Sequence, residues 1–462
     1  MKRIGLVITD GVGFRNFILS DFLDKALKQG DLVIIFSCIP KENYEIVKGK
    51  CKVIELEVFQ ESSITWLFRK TKELTHLQNH RKNNFGIQDN IKITKSTSKS
   101  TRGKIVRFLH KFTKVFHSER LVNFYYFLQE KSFQNNLHVK NYKNILTRYR
   151  VDVLLFTHQR PPYIAPIIYA AKKRKIVTAT FIFSWDNIAS KGRMAGDFDH
   201  YLVWSNLMRD ELLQFYSKIK SKSIHVIGTP QFSPFVMKTY GYTKEKLCEK
   251  FCLDIEKPII FFTCNDASSK NDPLYLEILA KAIEEKKIHE AVNLIVRTSI
   301  ADDGKTFEHL RKYKFIKWNN PKWELTRINH QEPWSQRVPD KEDIDDLKSL
   351  LNHCTLNINI LSTITLDAFI FNKPVINPVF GNENNELFND QKFLKYKHIK
   401  LLVDSKSSSI VKNKIDYIEE VNNLLDGKEI REKARDSFLD LEILRPLEKT
   451  SDRIVKALKE LA

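Results

Sequence analysis

Long apolar stretches are absent from this sequence of 462 residues. No run approaches the ~18 apolar residues that a membrane-spanning helix requires, so we expect no integral membrane protein. The apolar residues 4–9 could begin a secretory signal, but Asp10 and Arg15 interrupt them before a sufficiently long apolar core forms. They predict a first buried strand instead, in a cytoplasmic protein.

Cysteine is scarce, with six residues scattered along the chain. Cys248 and Cys252 lie one helical turn apart, but no second pair of cysteines or histidines stands nearby to complete a zinc site. We therefore expect reduced, structural thiols. No paired-carboxylate motif stands out either, and the sequence predicts no bound metal.

Acidic residues are few in one region. Residues 61–150 contain 19 lysines and arginines but only 5 aspartates and glutamates, so most of the net charge of +20 lies there. Basic and apolar side chains alternate within it, in the order Lys104, Arg107, Phe108, Lys111, Phe112, Lys114, Val115 and Phe116. The pattern fits a helix on anionic lipid, a nucleic-acid surface or a solvated basic face. No recognised DNA or RNA module accompanies the charge, which disfavours nucleic acid.

Two signatures are also missing. Gly11 and Gly13 lack the third glycine of a dinucleotide-binding fingerprint, and no clear acidic partner follows the second predicted strand, which disfavours a dehydrogenase. No tandem repeat of solenoid length is present.

The chain does contain short apolar runs that alternate with segments of helical periodicity. Its 42% of hydrophobic and 29% of charged residues are typical of a globular protein, and its length indicates about two to three domains. Strands are predicted at residues 4–9, 32–36, 151–156, 176–183, 201–204 and 224–227, then at 259–262, 294–296, 356–360 and 375–376. Strands that alternate with helices imply parallel sheets.

Gly228 and Pro230 separate the two series of strands. We predict a first domain at residues 1–228 with a basic helical insertion at about 62–144, a second domain at 229–445, and a final helix within 446–462. The predicted class is α/β, with two Rossmann-like, doubly wound domains. Ligands of such sheets bind beyond the carboxyl ends of the strands.

The best-marked site follows the strand at 356–360. Ser362, Thr363 and Thr365 open a helix, whose free backbone N–H groups and positive dipole end suit a phosphate. Asp367 lies one turn further, where a carboxylate can accept hydrogen bonds from ribose hydroxyls. The alternative is a plain N-cap, with Asp367 as a first-turn charge.

This segment, with residues 373–376 (Lys-Pro-Val-Ile) after it, resembles the nucleotide-binding segment of GT-B glycosyltransferases and of the related glycerophosphotransferases that make teichoic acids. The resemblance implies two Rossmann-like domains facing each other across a cleft, and a final helix that crosses back to the first domain. It places the donor diphosphate on Ser362, Thr363 and Thr365, and ribose on Asp367. It also implies a metal-independent enzyme whose co-substrate is a nucleotide-sugar, with no other cofactor. The glycine-rich spacing of many members is missing here.

Other residues of the second domain match donor-binding positions of that family. Asn265, Ser268 and Ser269 follow its first strand, where such enzymes approach the donor phosphates. Arg297 ends the next strand, and its forked guanidinium suits a diphosphate. Trp334 occupies a position at which the chain of such proteins commonly runs close to the nucleobase. A polar turn, a surface ion pair and a core tryptophan are the alternatives.

The first domain should supply the acceptor side and the base that takes the acceptor hydroxyl's proton. Asp10 closes the first strand, and members of the family often place their base in this loop. Asp10 could equally cap the helix that follows. The acceptor-side candidates after it are Gly11, Gly13, Arg15 and Asn16.

Residues 184–193 are the most distinctive short run. They resemble a Trp-Asp-Asn segment of bacterial GT-B proteins of unknown mechanism, which also carry a run like residues 228–232. Asp186 is the second candidate for the base, Trp185 and Asn187 would face the acceptor, and Lys191 would neutralise the leaving diphosphate. In the alternative interpretation, Asp186 and Lys191 simply pair in a polar loop.

We therefore predict a glycosyltransferase that moves a sugar from a nucleotide-sugar to a glycan or lipid-linked acceptor in bacterial surface-polysaccharide synthesis. A lipid-linked acceptor would bring the basic insertion to the inner face of the plasma membrane. A glycerophosphotransferase or a nucleotide-sugar epimerase would share the same nucleotide site. A non-enzymatic binding protein with a basic working surface is the alternative of another class.

Overall fold

The structure is a computed structural model that describes residues 2–265, 270–302, 304–381 and 390–461. Its strands are β1 (Arg3–Ile8), β2 (Leu32–Ser37), β3 (Lys52–Glu55), β4 (Val153–Phe156), β5 (Val177–Phe181), β6 (His200–Val203), β7 (Ile224–Val226), β8 (Ile259–Thr263), β9 (Asn293–Arg297), β10 (Ile316–Asn319), β11 (Trp323–Leu325), β12 (Arg337–Pro339), β13 (Leu356–Ile358), β14 (Val375–Pro378) and β15 (Ser409–Val411).

The helices up to residue 236 are α1 (Gly11–Phe17), α2 (Phe22–Lys28), α3 (Ser63–Asn79), α4 (Phe85–Ile93), α5 (Thr101–Val115), α6 (Glu119–Lys131), α7 (Leu137–Tyr149), α8 (Ala165–Lys173), α9 (Asn187–Ser190), α10 (Asn206–Phe215) and α11 (Ser233–Val236). Those that follow are α12 (Lys244–Phe251), α13 (Asp272–Glu284), α14 (Lys341–His353), α15 (Ile364–Ile370), α16 (Lys397–Ser405), α17 (Lys414–Leu425), α18 (Glu432–Glu442) and α19 (Thr450–Leu461).

Internal packing divides the chain into two units, of which the first comprises Met1–Ser233, Leu325–Val338 and Glu442–Ala462. It holds a seven-stranded sheet in the order β3-β2-β1-β4-β5-β6-β7, and all neighbouring strands pair in parallel. β1 is buried at every position after the first, as expected of a parallel strand covered on both faces. Because the strand order reverses between β1 and β4, the residues after these two strands border the crevice where such sheets bind ligands.

The second unit comprises Pro234–Glu324 and Pro339–Leu441. It holds a six-stranded parallel sheet in the order β10-β9-β8-β13-β14-β15. Its core includes the fully buried side chains of Phe262, Tyr275 and Tyr417. Here the order reverses between β8 and β13. The predicted α/β class with two doubly wound parallel sheets is confirmed.

The basic insertion contains α3 to α7, between β3 and β4. α3 is its central element, because both α5 and α6 pack against it. Its side chains Leu74 and Leu77 are buried, while the α5 residues Phe108, Val115 and Phe116 are exposed. No helix among the described residues combines the length and the apolarity needed to cross a membrane.

Two segments distant in sequence complete the first unit. α19 packs against α2, where Lys25 Nζ lies 3.0 Å from Asp452 Oδ2. Residues 325–338, which the sequence pattern had placed in the second domain, also belong to this unit. Arg327 binds the Glu55 carboxylate at 2.6 Å, and Gln331 Nε2 donates to the Phe59 carbonyl at 2.7 Å. The side chains that make these contacts belong to Arg327 and Gln331, which lie outside helices and strands. Such irregular segments carry no periodic signal in the sequence.

Candidate functional site

Asp10 lies at the strand-order reversal of the first unit, directly after β1, and is fully buried. It is the N-cap of α1, because its Oδ1 accepts a hydrogen bond from the Gly13 amide at 2.8 Å. Its Oδ2 accepts a second bond from Thr9 Oγ1 at 2.9 Å. A Cβ added at Gly13 would lie 2.3 Å from Thr157 Oγ1, so only glycine fits between Asp10 and the end of β4.

His158, just after β4, is the partner of the Asp10 carboxylate. The distance between His158 Nδ1 and Asp10 Oδ2 is 2.8 Å. An ionised carboxylate only accepts hydrogen bonds, so Nδ1 carries the proton and Nε2 keeps its lone pair. Nε2 is buried and has no hydrogen-bond partner among the described residues. The ring stacks on Phe183 with centroids 3.9 Å apart, which fixes its orientation.

The protonation of His158 is decided by two opposing effects. Burial lowers the pKa of the imidazole below 6.5, and the hydrogen bond and charge of Asp10 only partly offset this. The ring is therefore neutral at neutral pH. A neutral imidazole with a free Nε2 and an anchored Nδ1–H has the arrangement of a general base held by a carboxylate.

A cavity of about 390 Å³ adjoins this histidine, and its lining belongs entirely to the first unit. Charged and aromatic side chains contribute most of the lining, namely Arg69, Lys70, Glu73, His158, Arg160, Arg193, Glu332 and Trp334. Most of these charges are paired: Arg69 binds Glu61 and Glu73, and Arg193 binds Glu119. Arg160 has no hydrogen bond or ion pair with any of the described residues, so its guanidinium is available to a ligand.

Residues 330–336 close part of this cavity. Trp334 packs edge-on against His158, with ring centroids 5.9 Å apart, and its Nε1 donates to Glu332 Oε2 at 2.9 Å. Burial raises the pKa of Glu332. Tyr163 holds the neighbouring loop, because its hydroxyl donates to the Thr9 carbonyl at 2.7 Å. Trp334, predicted to meet the nucleobase, thus stands beside the histidine of the first unit.

The other first-unit candidates are largely engaged with one another. Asp186 Oδ2 lies 3.2 Å from Lys191 Nζ, and Asp186 Oδ1 accepts from Asn187 Nδ2 at 3.0 Å. Asn187 Oδ1 in turn accepts from Gln159 Nε2 at 3.0 Å. Trp185 is buried. The roles predicted for these four residues stay predictions.

The first helix carries the remaining acceptor-side candidates. Arg15 and Asn16 lie on α1, and Asn16 is buried. A Cβ added at Gly11 would come within 1.6 Å of the Arg337 carbonyl oxygen. Gly11 therefore allows residues 325–338 to pack on the start of α1, and its observed role is one of backbone approach.

In the second unit, Asn359 organises the helix start that the sequence marks most clearly. Its Oδ1 accepts hydrogen bonds from the Ser362 amide at 2.9 Å and from Thr365 Oγ1 at 3.0 Å. Thr365 is fully buried, whereas Ser362 and Thr363 are half-buried. Thr363 is the N-cap of α15 but makes no side-chain capping bond, so its hydroxyl and that of Ser362 are the more accessible ones. Asp367 is buried within the first turn.

Two further donor-side candidates are engaged within the second unit. Arg297 Nη2 binds both carboxylate oxygens of Asp343, at 2.8 and 2.9 Å, and its Nη1 donates to Asn319. Although burial acts to raise it, the ion pair with Arg297 holds the pKa of Asp343 below its ordinary value. Asn265 Nδ2 donates to the Ile360 carbonyl at 2.7 Å, which joins the ends of β8 and β13. Ser268 and Ser269 lie outside the described residues.

His158 and Arg160 are the residues that sequence reasoning missed. Both follow the strongly apolar strand at 153–156, so the rule applied to the other strands would have selected them. The importance of His158 depends on Asp10, which is 148 residues away in sequence.

Solved structures of similar architecture exist in several bacteria. The MnaA–UDP complex of S. aureus is 12% identical to this chain, with 99% of this chain and 96% of that chain covered and a TM-score of 0.54. A glycosyltransferase from Rickettsia africae ESF-5 is 17% identical and has a TM-score of 0.50. The alignment covers 100% of this chain and 98% of that chain. A UDP-GlcNAc 2-epimerase from Neisseria meningitidis bound to UDP-GlcNAc is 12% identical and has a TM-score of 0.54. The alignment covers 100% of both chains.

No protein-family model and no curated protein matches the sequence. At such low identities, the structural similarity concerns the fold and not the reaction. The two doubly wound parallel sheets and the similarity to these solved structures show that the chain has the two-domain GT-B fold. This is the fold implied by the resemblance of residues 362–376 to the nucleotide-binding segment of GT-B glycosyltransferases.

Proposed function

We propose that this protein is a glycosyltransferase that moves a sugar from a nucleotide-sugar to a hydroxyl of a glycan or lipid-linked acceptor, as in bacterial surface-polysaccharide synthesis. The observation that carries the proposal is the Asp10–His158 pair beside a cavity at the strand-order reversal. His158 Nε2 is buried there and has no hydrogen-bond partner in the part of the chain that the structure describes. The GT-B fold supports it, since a structurally similar protein is a glycosyltransferase.

His158 Nε2 would take the proton of the acceptor hydroxyl as that oxygen attacks the anomeric carbon of the donor. The new carbon–oxygen bond forms while the bond from the anomeric carbon to the diphosphate oxygen breaks, and the nucleoside diphosphate leaves with that electron pair. Asp10 would keep Nδ1 protonated and stabilise the imidazolium. A single displacement of this kind inverts the anomeric configuration.

Acceptor and donor would be bound by different units. Arg160 lines the cavity, has no ion pair with a described residue, and would bind an anionic group of the acceptor. In the second unit, the accessible hydroxyls of Ser362 and Thr363 would meet the donor diphosphate, with Asp367 near ribose. UDP-sugars are the first donors to test, because two structurally similar proteins were solved with UDP or UDP-GlcNAc.

The direct test is a thermal-shift panel of UDP-, GDP-, CDP- and dTDP-sugars, followed by product analysis with the donor that stabilises the protein. A transferase releases free nucleoside diphosphate only slowly without acceptor and rapidly with it. If no nucleotide-sugar stabilises the protein, the proposal fails in its central claim.

A nucleotide-sugar epimerase is the second candidate, favoured by the structural similarity to a UDP-GlcNAc 2-epimerase. The two activities separate in one experiment, in which UDP-GlcNAc is incubated with the protein and no acceptor. Accumulation of an epimerised sugar identifies the epimerase. Unchanged donor that is consumed once bacterial glycan is added identifies the transferase.

The exposed face of α5 is proposed to contact anionic membrane. Its side chains Phe108, Val115 and Phe116 are 63%, 70% and 55% exposed, and Lys104 and Lys111 are exposed beside them. Aromatic residues at a lipid interface flanked by lysines fit such a surface. Vesicles with and without phosphatidylglycerol test it by co-sedimentation. Phe108→Ser/Phe116→Ser should reduce binding to the anionic vesicles, and equal binding to neutral vesicles would contradict it.

A further inference from the structure

A second cluster of possible metal-ligating side chains lies in the basic insertion and includes Glu119, the ion-pair partner of Arg193. His76 is on α3, His80 directly follows that helix, and Glu119 begins α6. One donor atom from each of the three lies within 4.8 Å of the other two. Histidines four residues apart on a helix lie on one face, which is a spacing that zinc-binding helices use.

The His76 ring has binding capacity that the protein leaves unused. It is fully buried, and neither Nδ1 nor Nε2 has a hydrogen-bond partner among the described residues. A neutral imidazole normally donates from one nitrogen and accepts at the other. Leaving buried polar groups unpaired costs ~1–3 kcal/mol each. The rings of His80 and Tyr216 pack against the His76 ring, with their centroids 4.7 and 5.4 Å from the His76 centroid.

We propose that His76, His80 and Glu119 bind one divalent transition-metal ion, with Zn²⁺ as the best-fitting metal. Two imidazole nitrogens and one carboxylate oxygen form a ligand set that zinc accepts, and a water molecule would complete four-coordination. Zinc needs its ligands at ~2.0–2.2 Å. Small side-chain rotations would bring the three atoms from their present spacing to that distance.

Arg193 is the cation that competes for this place. Its Nη1 lies 2.8 Å from Glu119 Oε1, and its guanidinium stacks over the Tyr216 ring at 4.3 Å. Ligating carboxylates commonly keep an outer hydrogen-bond partner. Arg193 can therefore hold Glu119 Oε1 while Oε2 binds the metal. Arg193 also lines the cavity beside His158, so a metal here would help to fix one wall of that cavity.

The ion would join α3 to α6, and these two helices pack against each other more extensively than any other pair within the insertion. Its expected role is structural, which makes the test independent of the proposed function. The inference stands or falls on metal binding and stability, whatever reaction the protein catalyses.

The experiment uses the full chain, prepared without a polyhistidine tag, stripped with EDTA and titrated with Zn²⁺ against a chromophoric chelator. We expect one equivalent to bind and to raise the melting temperature, and Co²⁺ to give visible d–d absorption. His80→Gln and Glu119→Gln, at half-buried positions, should weaken binding by more than the ~10–100-fold that loss of an outer partner costs.

The matched control is His200→Gln/His225→Gln, which removes the other close histidine pair, with its nitrogens 3.2 Å apart. Its zinc affinity should equal that of the wild type. Circular dichroism of each variant shows that it is folded. No stoichiometric zinc in the wild type, or wild-type affinity in folded His80→Gln and Glu119→Gln, would overturn the proposal in favour of a simple Glu119–Arg193 ion pair.

Discussion

The two sheets of this protein reverse their strand order in the same way, but the residues at the carboxyl ends of their strands differ. We call these residues the rim of each sheet, and the two rims differ in whether their polar side chains are hydrogen-bonded to one another. At the first rim, His158 Nε2 has no hydrogen-bond partner among the described residues and lies beside a cavity. At the second, Asn359 and Thr365 bond each other, and Arg297 is bound by Asp343. A shared topology therefore fixes where a ligand can bind, while the local hydrogen bonds decide which side chains remain free for chemistry.

The largest expected effect comes from substitution of His158. His158→Gln should lower kcat of transfer by ~10²–10⁴-fold, because general base catalysis is lost. The thermal shift produced by the donor should persist, since we propose that the donor binds the second unit. His200→Gln serves as the control for loss of a histidine and should retain full activity. Equal activity of His158→Gln and wild type would return the base to Asp10 or Asp186.

The second effect tests the paired rim. Arg297→Ala leaves the buried Asp343 carboxylate unpaired, and loss of one partner of such a pair costs ~3–5 kcal/mol. We expect a markedly lower melting temperature of the second unit, measured by calorimetry. Lys281→Ala, which removes an exposed ion pair with Glu277, should change it little. Normal stability with lost nucleotide binding would instead support the phosphate role predicted for Arg297.

A smaller loss is expected at the helix start. Thr365→Val removes one donor to Asn359 Oδ1 and should destabilise the second unit by ~0.5–1.5 kcal/mol, the net contribution of one hydrogen bond, because the Ser362 amide still donates to that oxygen. Ser362→Ala keeps the backbone bond to Asn359 and should leave stability unchanged, while it weakens stabilisation by the nucleotide-sugar. If the two variants behave alike in both assays, the distinction between structural and accessible hydroxyls at this site is wrong.

The smallest effect is a shift in pH dependence. Burial lowers the pKa of His158 below 6.5, and only the neutral ring accepts a proton, so the rate should fall as pH drops through that lowered pKa. The charge of Arg160 contributes to the lowering, so Arg160→Gln should move the acid limb to higher pH. A pH–rate profile of both proteins with saturating donor measures this. An unmoved limb would assign the titration to another group.

Much of the fold could be predicted because alternation of apolar runs with helical periodicity is a local property. The central strands β1, β4, β8 and β13 were all predicted, since burial on both faces makes them strongly apolar. Five strands were not predicted: β11 and β12, which form a separate two-stranded sheet, and β3, β10 and β15. β3, β10 and β15 each lie at an edge of a large sheet, where one neighbouring strand is lacking and the apolar signal is weak.

The candidate site was less predictable. Asp10 was selected from the sequence as base or cap, and in the structure it caps α1 and also holds His158. Trp334 was assigned by resemblance to the nucleobase, but packing brings it to the first unit. Whether a polar side chain is free or engaged depends on partners from distant segments, which no local pattern encodes.

The sequence alone determined the α/β class, the two series of strands and the strand ends where functional residues should lie, because these follow from periodicity and chain direction. Only the tertiary structure decided that the Asp10 carboxylate is bound by His158 and that Arg297 is bound by Asp343. The physical reason is that hydrogen bonds and ion pairs act over about 3 Å of space, and only folding determines which distant residues come that close.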